Sequence, residues 1–248
     1  MDPDEERVRH EILKKLEADR KGYLARYTRR FGNVLNADDA ATLFDEYNKD
    51  PAKYRVAVHP AATWVRDELF SQALAAEAPK GKNRVVFTAG GNAVGKSTAL
   101  AVTGIAKRAQ VVFDSTFSNP EHAQRLVDQA LGAVKTITVV FISRPLDETF
   151  RAMLDRARVQ GRIVTIEQLI GSHRGAAQTV RELWRQLEHN ASVEFVFIDN
   201  SGSGAREGTI ELASPQGYTE VRKHLHELRD TEYQAGRITE ETYRRIGG

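Results

Sequence analysis

The sequence predicts an α/β fold: a mostly parallel sheet with helices on both faces, extended by helices at each terminus. Three observations predict it. Short apolar runs rich in β-branched residues, at Arg84–Ala89, 110–114, Thr136–Ser143 and Val193–Asp199, read as buried strands. Helical segments separate these runs, and strands alternating with helices imply a parallel sheet. Hydrophobic residues make up 41% of the 248, enough to bury a sizeable core.

The elements follow in order. Residues 3–30 carry Ile12, Leu13, Leu16, Tyr23, Leu24 and Tyr27 at helical spacing among charges, which reads as one or two amphipathic helices. Gly32 breaks them. Asn33-Val-Leu reads as a short strand, and Asn36 or Asp38 can cap a helix running through Ala41 and Phe44. A long helix is expected over 60–78, with Pro60 in its first turn. After the strand at 84 comes a helix over 96–108. Further helical segments are expected over 119–133 and 145–189, the latter broken near Gly161 or Gly171. Residues 201–208 read as a flexible loop, and 215–246 as two helices parted near Gly236. The resulting plan is a helical extension over 1–31, an α/β domain over 32–212 and a second helical extension over 213–248.

Charge and composition limit the partners. Lys and Arg number 36 against 34 Asp and Glu, a net +2 that argues against a dedicated nucleic-acid binder while leaving room for a local basic patch. The absence of cysteine excludes disulfides and thiolate metal sites, and fits a cytoplasmic protein. No apolar run reaches 18 residues and the N-terminus is charged, so neither a membrane span nor a signal peptide is expected. The seven histidines show no metal-binding spacing, so no structural zinc is expected.

The most specific feature is Gly90-Gly91-Asn92-Ala93-Val94-Gly95-Lys96-Ser97, followed by Thr98. It satisfies G-x-x-x-x-G-K-[ST] in full, with a predicted strand ending at Ala89 and a helix beginning at Lys96. The glycines let backbone N–H groups turn inward toward a phosphate, and the helix N-terminus adds positive potential. Lys96 can reach the β- and γ-phosphates of ATP or GTP, and the Ser97 hydroxyl can ligate Mg²⁺. The motif therefore narrows the fold class to a P-loop nucleotide-binding α/β domain.

Asp114 ends the next strand, where ligands gather in parallel sheets. It can hold Mg²⁺ through water, bind an acceptor hydroxyl, or cap the following turn. Thr116 and Ser118 are neighbours of lesser weight, and Asp199 reads as turn chemistry. Arg151, Arg156, Arg158 and Arg162 follow the strand Thr136–Ser143. Arginines on a lid stabilise charge on a transferring phosphoryl group. The competing reading is a solvated face paired with Asp147, Glu148 and Asp155. Arg174 and His173 carry less weight.

Together these residues resemble the zeta-toxin family of P-loop kinases over about 84–200. The stretch VVFDSTFSNPEHAQRLVDQAL, the strand ITVVFISRP and the segment GRIVTIEQL carry the resemblance. By that match Asp114 and Thr116 fall on the family's acceptor-contacting acid and threonine, with Arg158 nearby, and Arg156 and Arg162 on its phosphate-contacting arginines. The resemblance implies an ATP-dependent kinase, a nucleotide-sugar acceptor such as UDP-N-acetylglucosamine, and a bacterial toxin restrained by a small antitoxin protein.

One departure stands out. The family places a strand ending in Asp-x-Asp soon after the phosphate-loop helix, its second Asp acting as general base. Here that helix leads straight to 110–114. The stretch NVLNADDAATLFDEY, 33–47, looks like the missing unit, with Asn36-Ala37-Asp38 in place of Asp-x-Asp. On this reading the order of segments is permuted, with Asp38 as base. The alternative is that Asp38 or Asp39 is a helix cap. The mechanism requires the regions near Asp38 and Lys96 to meet at one crevice.

His59, before Pro60, reads as a surface or capping residue. Tyr54, Trp64 and Trp184 read as core, and Arg29-Arg30 as solvated. Two rival functions remain: a kinase of polynucleotide ends, nucleosides or dinucleotides, and a nucleotide-dependent switch or ATPase acting through a protein partner.

Overall fold

The computed structural model describes residues 1–160, 163–202, 204–214 and 218–247. The chain opens with α1 (Pro3–Ala18), α2 (Arg20–Phe31), β1 (Val34–Asn36), α3 (Ala37–Ala41), α4 (Asp45–Lys49) and α5 (Pro51–Ala75). It continues through β2 (Arg84–Ala89), α6 (Lys96–Thr103), α7 (Ile105–Arg108), β3 (Val111–Asp114), α8 (Pro120–Gly132) and β4 (Thr136–Ser143). Then come α9 (Leu146–Gln160), α10 (Ile166–Leu187), β5 (Val193–Asp199), β6 (Arg206–Glu207), a 3₁₀ turn (Ile210–Ala213), α11 (Tyr218–Gln234) and α12 (Glu240–Gly247). The architecture is α/β with a mostly parallel six-stranded sheet. Among the described residues no helix is long and apolar enough to cross a membrane.

The chain divides into two compact units: Met1–Val85 with Ala106–Asp114, and Val86–Ile105 with Ser115–Gly248. In the first, β1 pairs in parallel with β3, with Leu35 opposite Phe113 and Asn36 opposite Asp114. β1 is an edge strand. Its outer backbone is met by Tyr27 of α2, whose hydroxyl accepts from the Asn36 N–H at 2.7 Å and donates to the Val34 carbonyl at 2.9 Å. An edge strand's unpaired backbone groups are thereby satisfied by a side chain. Burial pushes the Tyr27 phenol pKa up, so its proton stays on.

The first unit's core gathers Ile12, Leu16, Phe44, Val58, Val65, Phe70 and Phe113, all buried. Phe70 meets Phe113 edge-on, their centroids 5.0 Å apart. α1 starts with a capping box between Asp2 and Glu5. The same helix ties to α5 where Lys53 and Tyr54 donate to Asp4 at 2.5 and 2.8 Å.

In the second unit β4 pairs in parallel with β5, from Ile137 opposite Val193 to Ser143 opposite Asp199, and β6 runs antiparallel to β5. β4 is buried from Ile137 to Ile142, as its unbroken apolar run requires. The C-terminal helices complete this core. Leu225 of α11 and Ile246 of α12 are buried in one cluster with Phe150, Met153, Ile166 and Leu169.

Several boundaries differ from expectation for identifiable reasons. The long helix begins at Pro51, not Pro60, because the Asp50 side chain accepts from the Lys53 N–H and Pro51 occupies the first turn. Pro60 lies inside that helix, where it cannot donate to the preceding turn. The expected 96–108 helix is divided at Gly104, which adopts a left-handed φ of 63° as a C-cap. The helix expected through Phe44 ends at Ala41, and Phe44 precedes α4. Residues 206–207, expected as loop, form β6. Gly171 lies within α10, so the break in 145–189 falls between Gln160 and Ile166. Tyr54, Trp64 and Trp184 are partly buried rather than core.

Candidate nucleotide site

In the second unit, β2 delivers the chain directly into the phosphate loop and α6 carries it away. The loop winds through positive φ at Gly90 (135°), Ala93 (62°) and Gly95 (87°). Two of these suit glycine. Ala93 tolerates the left-handed region at a cost of about 1–2 kcal/mol. A Cβ on Gly90 would fall 2.4 Å from the Ile142 carbonyl oxygen, so that position admits no side chain.

Lys96 folds back over the loop, and its Nζ donates to the carbonyls of Gly90 and Gly91, each at 3.2 Å. Ser97 and Thr98 are exposed in the first turn of α6. The Ser97 hydroxyl is a hard oxygen donor, the type Mg²⁺ takes when most of its other positions are filled by phosphates and water. The residues present therefore fit that ion.

Thr116 joins this group, since the Gly90 N–H donates to its carbonyl at 3.1 Å. Its hydroxyl lies 2.9 Å from that of Ser118. Three further residues grip the loop, two of them unforeseen. Ser172 of α10 accepts from the Asn92 N–H at 3.0 Å and from its side-chain amide at 3.1 Å. The neighbouring His173 places Nε2 3.3 Å from the Asn92 carbonyl. Asn200, just past β5, donates to the Val94 carbonyl at 2.6 Å. Ser172 and Asn200 went unrecognised because they lie 80 and 106 residues from their partners, and nothing local in sequence marks them.

Burial lowers the His173 pKa to about 4, outweighing the carbonyl contact that raises it; the Lys96 charge lowers it further. The ring is therefore neutral at pH 7. A carbonyl only accepts, so Nε2 is the protonated nitrogen and donates.

Of the four arginines expected on a lid, Arg151, Arg156 and Arg158 lie among the described residues. Arg156 and Arg158 are exposed on α9, and Arg158 pairs with Asp155 at 3.1 Å. Arg162 lies outside the described residues. Asp199 performs turn chemistry: its carboxylate accepts from the Ser201 N–H at 2.9 Å and from Arg206 at 3.2 Å. These bonds to Ser201, and the Arg206 charge, hold its pKa below the usual carboxylate range.

The acidic residues near the front of the chain belong to the first unit. Asp114 is buried and accepts from the Asn36 side-chain amide at 2.6 Å. Asn36 is also the cap of α3, its Oδ1 accepting from the N–H of Asp38 at 2.7 Å and of Asp39 at 3.4 Å. The capping role thus falls to Asn36, and Asp38 is a first-turn residue. His59 of α5 has its pKa lowered, first by lost hydration and then by Arg66 and Arg55, with Asp38 opposing.

No curated protein matches the chain. Among solved structures, a chain in the native crystal structure of the AvrRxo1-ORF1:-ORF2 complex is similar at a TM-score of 0.43 and 11% identity, over 73% of this chain and 76% of that one. The family model described as Zeta toxin matches residues 75–207, more than half of the chain. That span runs from the end of α5 through β6 and contains the whole phosphate loop. The family is kinase-like and nucleotide-binding. This chain belongs to the Zeta toxin family.

Proposed function

We propose that this protein is an ATP-dependent kinase that transfers the γ-phosphoryl group to a hydroxyl of a small acceptor, with GTP as the alternative donor. The observation that carries this reading is the complete phosphate loop between β2 and α6, with Lys96 folded onto its carbonyls. An ammonium held this way has two donor contacts that phosphate oxygens can replace when nucleotide enters.

In the proposed reaction the phosphate loop, Gly90 to Thr98, and the Lys96 ammonium hold the β- and γ-phosphates. Ser97, with Asp114 as a further candidate, holds Mg²⁺, which neutralises phosphate charge when bound. Asp38 takes the proton from the acceptor hydroxyl as the oxygen–phosphorus bond forms and the bond to the β-phosphate breaks. Arg156 and Arg162 neutralise charge on the γ-oxygens, while Asp114, Thr116 and Arg158 hold the acceptor. The cap of α3 is Asn36, so capping, the reading that competes with this role for Asp38, falls to another residue.

Family membership favours a nucleotide sugar such as UDP-N-acetylglucosamine as acceptor and an antitoxin protein as partner. The segment carrying Asn36 and Asp38 precedes the matched span, consistent with a permuted order in which β1 leads into α3 and its Asp38 as the acceptor-side acid.

The test is incubation with γ-labelled ATP, Mg²⁺ and a panel of nucleotide sugars, nucleosides, dinucleotides and oligonucleotides. Label is expected on a nucleotide sugar, and Lys96→Ala is expected to lower transfer by about 10²–10³-fold. Release of free phosphate alone, accelerated by a protein partner, would sink the kinase reading in favour of a switch.

A further inference from the structure

We infer that His173 and Asn200 are positioning residues that aim the phosphate loop: by holding the Asn92 and Val94 carbonyls outward, they turn the N–H groups of Ala93 and Gly95 inward, toward a bound phosphate. The inference deepens the nucleotide-binding part of the proposed function and rests on it.

The argument starts from the peptide plane. In a trans peptide the carbonyl of one residue and the N–H of the next point in opposite directions. Whatever captures the carbonyl therefore fixes where the following N–H points. His173 Nε2 meets the Asn92 carbonyl at 3.3 Å, which sets the Ala93 N–H. Asn200 Nδ2 meets the Val94 carbonyl at 2.6 Å, which sets the Gly95 N–H. The left-handed φ values at Ala93 and Gly95 are of the kind from which backbone anion nests are built. Two alternate peptides of the loop are thus each held from outside by one side-chain donor.

Both holders are rigidly backed. Ser172 accepts from the Asn92 N–H and donates to the Leu169 carbonyl at 2.9 Å, so Asn92 is fixed on both sides by consecutive residues of α10. The His173 ring lies against Gly91, where a Cβ would fall 2.0 Å from Cδ2. Asn200 is fixed by its own backbone, whose N–H donates to the Ser143 carbonyl at 2.8 Å. A Cβ on Gly95 would fall 2.4 Å from its amide nitrogen. The glycines at these two places leave room for the residues that hold the loop, in addition to permitting its turn.

α10 begins at the Thr165 cap, and eight residues later reaches His173. One helix therefore carries both Ser172 and His173, so that the alignment of the nest depends on the placement of that helix.

The experiment measures affinity for Mg·ADP and for inorganic pyrophosphate by calorimetry, with no acceptor present. His173→Ala and Asn200→Ala are each expected to weaken both ligands by the same factor, about 10–100-fold, the value of one hydrogen bond to a charged group. Asn200→Asp replaces the donor with an acceptor and should behave like Asn200→Ala. His173→Gln keeps a side-chain N–H donor and should recover most of the affinity. Should an alanine variant fail to fold, these two near-isosteric changes carry the test. Wild-type affinity in Asn200→Asp and His173→Ala overturns the positioning role while leaving the nucleotide site intact. A wild-type protein that binds neither ligand overturns both this inference and the proposed function.

Discussion

The Asn36 side-chain amide donates to the buried Asp114 carboxylate at 2.6 Å, across the parallel pair of β1 and β3 and between positions 78 residues apart. The same asparagine caps α3 through its other side-chain atom. One residue thus joins two strand ends and starts the helix that bears Asp38 and Asp39.

Asn36→Ala removes both functions. It takes a charge-assisted bond from a buried carboxylate and a cap from α3, and should cost about 2–4 kcal/mol of unfolding free energy. Urea denaturation at pH 7 checks this. Asn36→Asp tests the charge separately. Two facing carboxylates raise each other's pKa in the folded state, so stability of that variant should be greatest at low pH and fall as pH rises through the raised pKa.

Acid should unfold the second unit partly through His173. Its folded pKa is about 4 against an ordinary 6.5, so the stability contributed by the neutral ring is fully present above 6.5. It is lost as pH falls from there toward 4, by about 3 kcal/mol at most. His173→Gln should flatten that part of the stability profile. An unchanged acid slope in this variant would assign the acid sensitivity to other groups.

Gly91→Ala should be destabilising because its new methyl would meet the His173 ring. Overpacking of this kind costs about 1–3 kcal/mol. In combination with His173→Ala the cost should shrink, giving a clear interaction energy in a double-mutant cycle. Additive effects would mean that the ring is not the obstacle.

Asp38→Asn should lower kcat by about 10²–10⁴-fold and leave ATP affinity unchanged, as expected for loss of a general base. Single-turnover measurements with saturating acceptor check it, and full activity would remove Asp38 from the mechanism.

What the sequence revealed depended on whether the signal was local. The phosphate loop was legible because its chemistry is written in eight consecutive residues, Gly90 to Ser97. The strands β2, β3 and β4 were legible because burial on both faces demands continuous apolar runs, as in Thr136–Ser143; β5 shows the same kind of run although only Phe197 and Ile198 in it are buried. β6 was not, since Arg206 and Glu207 are exposed and too few to show a period. The start of α5 was misplaced because Pro60 drew the boundary, although Asp50 and Pro51 carry the cap signals. On the site, His173 was undervalued and Asn200 and Ser172 were missed, since each acts on a loop carbonyl or N–H far away in sequence. Only the folded chain brings such donors to their acceptors. The partnership of Asn36 with Asp114 was hidden in the same way, although both ends had been singled out separately.

The discontinuous first unit also has a bearing on how the protein is made. Its front part emerges from the ribosome with β1 lacking its neighbour, because β3 is translated only after α6. Pairing over so long a separation is slow to form and leaves an open strand edge in the meantime. Truncated products ending before residue 111 should therefore be sticky and readily degraded, and the nascent polypeptide should lean on chaperones until the stretch Val111–Asp114 has cleared the exit tunnel.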